Sequence, residues 1–144
     1  MPSRKDIDPV QLPREYLPDL MLIDVLHDPR RYRYRLVGTN IVGATGEDRT
    51  GGFFQDVPFF QAYPAMLQQY ENVVETGQPL HSLEPFTHFR SGAVYEVDRL
   101  LLPLSNDGQL VDMVLVFFRF KTGPHAKHPP VDSMRLLVPA QLAP

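Results

Sequence analysis

The sequence predicts an α+β domain built on an antiparallel sheet, and three observations carry that reading. Two extended segments, Leu20–Leu26 and Arg31–Val37, are joined by a connection far too brief for a crossover, so they must pair antiparallel. One long segment with helical periodicity, Pro64–Thr76, follows them. Two further extended segments, Val94–Leu104 and Leu110–Phe120, flank SNDGQ, in which Asp107-Gly108 is a hairpin signal.

Composition narrows the classes that remain. At 144 residues the chain makes one domain, of a size that buries roughly 70% of its unfolded surface and needs no staple. It has no cysteine, which excludes disulfides, thiolate metal ligands, cysteine nucleophiles and any flavin-cysteinyl adduct. The net charge of −3 sets up no field that would draw in nucleic acid or an anionic membrane. No apolar run approaches the roughly 20 residues of a membrane span, and MPSRKDIDP has no apolar signal core, so a cytoplasmic location is expected.

The elements follow in order. Residues 1–19 read as an N-terminal arm, polar from Pro2 to Pro13, with a short helical turn over Arg14–Leu17. Leu20–Leu26 is apolar and partly β-branched, a first strand opening residues 20–120 as the domain proper. HDPRR then turns through Asp28 and Pro29. In the second strand, period-two alternation puts Tyr32, Tyr34 and Leu36 on one face and Arg33, Arg35 and Val37 on the other. Gly38, Gly43 and Gly46 are expected to permit tight bends, and Gly38 to Val57 to form short helices or turns with a loop over Asp48–Gly52.

Pro64 suits the first helical position, and Gly77 suits the position just past the helix end, with Pro79 beyond it. Met66, Leu67, Tyr70, Val73 and Val74 make the apolar stripe of that helix, with Gln68, Gln69, Glu71, Asn72 and Glu75 toward water. Leu80–Phe89 is extended but poorly patterned. The last strand is apolar on both faces, with Leu110, Val114, Val116 and Phe118 on one and Val111, Met113, Leu115 and Phe117 on the other. It is therefore expected to be central, and its face away from the helices must be covered by the N-terminal segment or by a second subunit, which predicts a homodimer. Residues 121–144 read as a partly flexible tail with one apolar cluster, Met134–Val138.

Two strands, several short helices, one longer helix and three strands ending in a hairpin is the element order of a PAS domain. The local words agree: Pro2–Pro9 resembles the PSRxDIDP-like arm of a bacterial single-domain PAS subfamily. Leu17–Leu20, Asp24, Arg33–Thr39, Gly46, Thr50–Gly51 and Leu101–Gly108 match its further motifs. A closing Asp-Ile-Thr is absent, since Phe118–Thr122 occupy that region. The resemblance, over about residues 2–120, implies a five-stranded antiparallel sheet in spatial order 2-1-5-4-3, helices on one face and a pocket between. It also implies a sensory or signalling role, through a small ligand or a partner protein, and without an output segment such a domain must signal through another protein.

Candidate site residues divide into functional and structural readings. Arg99 shares a strand face with Tyr95, Val97 and Leu101. It either fixes a ligand carboxylate or pairs at the rim with Glu96, Asp98 or Asp112. Phe53, Phe54, Phe59, Phe60, Tyr63 and Tyr70, with Met66 and Leu67, line a cavity or simply form core. Thr39 and Asn40 contact a ligand or cap the short helix after them. Arg30, Arg31, Arg33 and Arg35 are the basic cluster, suited to phosphates or, more simply, to a charged edge strand. His81 and His88 are seven apart on an extended chain, hence on opposite faces, which argues against a shared metal, and His125 and His128 belong to the tail and are expected to be solvated. Glu96 and Asp98 share a strand face and could act as an acid and base, though a solvent face is the simpler account. There is no GxSxG, phosphate loop or HExxH. The expectation is therefore a non-enzymatic sensor with no identifiable cofactor, an open question being a small apolar or carboxylate ligand. The alternatives are an interaction or dimerisation module with a self-filled pocket and, third, a cone-shaped α+β isomerase or dehydratase.

Overall fold

The turn at residues 27–30 returns the chain on itself, so that β1 (Leu20–Leu26) and β2 (Arg31–Val37) pair antiparallel from Met21 opposite Val37 to Leu26 opposite Arg31. The coordinates are a computed structural model that describes residues 11–126. After β2 come α1 (Thr39–Thr45), a 3-10 turn at Phe54–Asp56, α2 (Pro58–Ala62) and α3 (Pro64–Thr76). β3 (Leu80–Thr87), β4 (Val94–Leu104) and β5 (Met113–Phe120) complete one antiparallel sheet in the order β2-β1-β5-β4-β3. The expected order is thus observed, with β5 central between β1 and β4.

Helix α3 forms as its punctuation requires. Pro64 occupies the first turn, where a missing N–H costs nothing, and Gly77 closes the helix in the left-handed region at φ 65°. Its stripe of Tyr70, Val73 and Val74 packs on Val25, Tyr32, Tyr34, Leu101, Val114 and Val116 of the sheet. The opposite sheet face carries a second core of Leu20, Leu22, Leu100, Leu102, Leu104, Met113, Leu115 and Phe117. Leu12 and Leu17, the latter from a 3-10 turn at Arg14–Asp19, pack against that face. The N-terminal segment, one of the two covers expected there, thus packs on that face.

Three local expectations are corrected. Strict alternation in β2 fails because the pairing shifts register between Leu22 and Ile23, opposite which Arg35 is the extra residue of a bulge. Tyr32 and Tyr34 therefore face α3, but Leu36 turns to the second core and Val37 to the first. The last hairpin is wider than Asp107-Gly108 suggests: β5 starts at Met113, Leu110 is exposed, and the Asp107 carboxylate accepts the backbone N–H groups of Gln109 and Leu110. Gly43 lies inside α1 rather than at a bend, and a Cβ there would sit 3.2 Å from the His125 ring. The arm up to Val10 and the apolar cluster Met134–Val138 lie outside the described residues.

Candidate functional site

The space between α3 and the sheet has two unlike sides. Toward β2 it is closed by rings. Phe54 lies 4.2 Å from Phe60 and 5.3 Å from Tyr32 in stacked pairs, and meets Tyr34 at 4.8 Å and Tyr70 edge-on at 4.9 Å. Burial raises the pKa of the Tyr32, Tyr34 and Tyr70 phenols above the ordinary tyrosine range, so all three stay protonated. The Tyr32 hydroxyl donates to Glu71 at 2.7 Å, and Glu71 also pairs with Arg30 at 3.1 Å.

Toward β4 the space is closed by a charge. Arg99 points under α3 and is only 3% exposed. Its Nη1 donates to Gln69 Oε1 at 3.0 Å and to the Met66 sulfur, and its Nη2 donates to the Tyr70 hydroxyl at 3.2 Å. The guanidinium also lies over the Tyr70 ring at 5.6 Å and the Phe118 ring at 5.5 Å. All of these partners are neutral, and no carboxylate among the described residues forms an ion pair with it. The expected rim pairing is corrected: Asp98 is taken by Arg119 at 2.6 Å and His81 at 3.2 Å on the other face, and Glu96 is exposed. Negative charge reaches Arg99 at one remove, because Gln69 Nε2 donates to Glu84 at 2.7 Å while its oxygen accepts from Arg99. Ser82, opposite Arg99 in the β3–β4 pair, completes this wall.

Of the candidate residues, Phe54, Met66, Tyr70 and Arg99 are brought together, with Leu67 packed on the same core. Phe53 is half-buried at the sheet edge with the Arg31 guanidinium over its ring, and Tyr63 is 59% exposed against Phe59. Thr39 starts α1 on the surface, and neither it nor Asn40 caps that helix; Gly38 holds the cap position. Asn40 instead donates to Asp19 at 2.6 Å and to the His125 carbonyl at 3.0 Å. The arginine cluster is dispersed onto its own partners, with Arg33 and Arg35 both on Asp24, at 2.9 and 2.8 Å. His125, expected to be solvated, contacts Asn40 and His88. Among the described residues no group of three or more His, Asp or Glu side chains is placed to hold a metal ion.

A family model described as a PAS domain matches residues 1–117. The chain belongs to the PAS family. Among solved structures, the PAS fold here is similar to one titled "Structure of an RNA-binding Light-Oxygen-Voltage Receptor", with a TM-score of 0.57 and 14% identity. The match covers 85% of this chain and 36% of that one, so this PAS domain spans about a third of the receptor. No curated protein matches the chain. No helix among the described residues is long and apolar enough to cross a membrane.

Gln69 and Glu84 are the members of this PAS site that sequence reasoning missed. Gln69 reads as solvent-facing because it flanks the apolar stripe, yet its position one residue before Tyr70 lets a long amide reach β4. A buried strand arginine on the helix side is the signal that could have found it, since such a cation demands acceptors from the helix above.

Proposed function

We propose that this PAS domain is a non-catalytic sensor that receives a small ligand bearing a carboxylate on a mainly apolar body, between α3 and β4, with Arg99 as the anchor. PAS domains are sensory and signalling modules, and the residue that points to this ligand class is Arg99: a buried guanidinium held by neutral acceptors is a cation without its anion. A bidentate carboxylate would satisfy both terminal nitrogens better than an amide oxygen and a phenol do. Met66 and Gln69, the partners it would displace, are unbranched and half-buried, so they can move without disturbing the sheet. Tyr70 and Phe118 would then face the apolar body of the ligand.

The absence of cysteine means that the signal does not pass through a cysteinyl adduct on this chain. Arg33 and Arg35 are held by Asp24 and Arg30 by Glu71, which supports a reading without nucleic acid as partner. The output is proposed to pass to another protein and to involve a homodimer; sedimentation at tens of micromolar protein tests the latter, a monomer ending it. A second reading is favoured by the ring stack around Phe54: an interaction module whose interior is filled by its own side chains. Native mass spectrometry of protein purified from cells separates the two. A retained small acid supports the first reading. A bare chain whose melting temperature responds to none of a panel of aliphatic and aromatic carboxylates, in wild type or Arg99→Met, leaves the second.

A further inference from the structure

We propose that His88 and His125 form a proton-sensitive latch that holds the segment after β5 against α1 while both imidazoles are neutral. The inference rests on a chain of hydrogen bonds whose direction is set at one end. His88 follows β3, and its Nδ1 lies 3.3 Å from the backbone N–H of Arg90 and 3.4 Å from that of Ser91. Two donors on Nδ1 make it an acceptor, so in the neutral ring the proton is on Nε2. His88 Nε2 is 3.3 Å from His125 Nε2, which must accept, placing the His125 proton on Nδ1. That nitrogen donates to Asn40 Oδ1 at 3.0 Å, and Asn40 Nδ2 donates in turn to Asp19 at 2.6 Å and to the His125 carbonyl at 3.0 Å.

Every bond in the chain is satisfied in one tautomer pair only. A proton added to His125 turns Nε2 against Nε2 into two donors facing each other, and the central bond is lost; one added to His88 goes to Nδ1, where it faces the backbone N–H groups of Arg90 and Ser91. The same assignment leaves no lone pair on His88 Nε2 for a metal ion. Asn40 grips residue 125 twice, by ring and by carbonyl, and Gly43 allows the ring to lie 3.2 Å from where a Cβ would stand. Phe120 of β5 and Tyr95 of β4 flank the pair with their rings. The charged and titratable groups acting on His125 are His88 from the end of β3, which disfavours its proton, and Asp19 from the turn before β1, which favours it; α1 contributes the neutral Asn40. Arg90, beside His88, lies over the Phe89 ring.

Burial, then His88, hold the His125 pKa below the ordinary histidine value. The sign follows: the unfolded or unlatched chain binds the proton more readily, so the latch is fully present above the ordinary histidine pKa. It weakens as pH falls from there through the depressed value.

The test uses the full chain. Imidazole C–H signals and backbone amide exchange are followed by NMR from about pH 7.5 to about pH 5, the range in which an imidazole charges. The latch requires that protection of the Gly123, His125 and Ala126 amides fall by about tenfold or more beyond the intrinsic change in exchange, in step with titration of His125. In His88→Phe, which keeps a ring and removes the proton, protection there should be low throughout and the step absent. Flat protection in the wild type, or an undiminished step in His88→Phe, overturns the proposal. Should that variant not fold, Asn40→Ala serves in its place: loss of the step supports the latch, and its persistence sinks it.

Discussion

The two sides of α3 solve the same packing problem with opposite chemistry. On the β2 side, Phe54, Phe60, Tyr32 and Tyr34 meet ring to ring, and the Tyr32 hydroxyl reaches Glu71. On the β4 side, a guanidinium lies among an amide, a thioether and a phenol. In the first arrangement rings meet rings, with no buried charge among them. The second holds a buried charge answered only by neutral groups, which is where the proposed carboxylate would act. A third case on the same sheet sharpens this: Asp24, 5% exposed on the opposite face, is answered by two arginines and so is closed.

The largest effect expected from this contrast is on the ring side. Phe54 touches four other rings, so Phe54→Ala should cost about 4 kcal/mol of unfolding free energy, transfer and cavity together. Urea denaturation checks this, and a loss below about 1 kcal/mol would mean that the ring side is loosely packed and able to admit a ligand. Removing Glu71 from the same side is milder. Glu71→Ala strips the Tyr32 hydroxyl and Arg30 of an acceptor, a loss of about 1 kcal/mol because both groups can still reach water.

Much of this frame was legible in the sequence. β1, β2, β4 and α3 fall where periodicity, Pro64 and Gly77 put them, because each is decided by local signals. The bulge at Arg35 was not legible, since it arises from the fit of β2 to β1 rather than from either strand, and it alone sends Leu36 to the other core. His125 was misread for a similar reason: proline-rich surroundings look like a tail, while its partners Asn40 and His88 are 85 and 37 positions away. Arg99 was recognised but its neighbours were not, because Asp98 and Glu96 are near in sequence and on the wrong face, whereas Gln69 comes from a helix thirty residues earlier.

Arg99→Met should divide stability from response. It removes a buried cation together with its contacts to Tyr70 and Phe118, and it leaves an unbranched apolar chain in its place. Burial of an unneutralised charge and loss of the cation–ring contacts oppose each other, so unfolding free energy should stay within about 1 kcal/mol of wild type. Any shift of melting temperature by a small carboxylate should vanish. A loss of several kcal/mol would instead show that Arg99 is a structural keystone, and the contrast between the two sides would fail.

The smallest effect is the most discriminating, because it asks what Gln69 does there. If Gln69 is the stand-in acceptor for an absent carboxylate, its bond to Arg99 is replaceable, and Gln69→Leu should cost about 1 kcal/mol alone. In the Arg99→Met background the same change should cost still less, giving a coupling of about 0.5 kcal/mol, at the low end for residues in contact. The carboxylate response should survive Gln69→Leu, since the ligand would replace that oxygen. A coupling of 2 kcal/mol or more, about what a charged hydrogen bond contributes when it is part of the fold, would place Gln69, Arg99 and Glu84 in a permanent internal network and close the β4 side as firmly as the rings close the other.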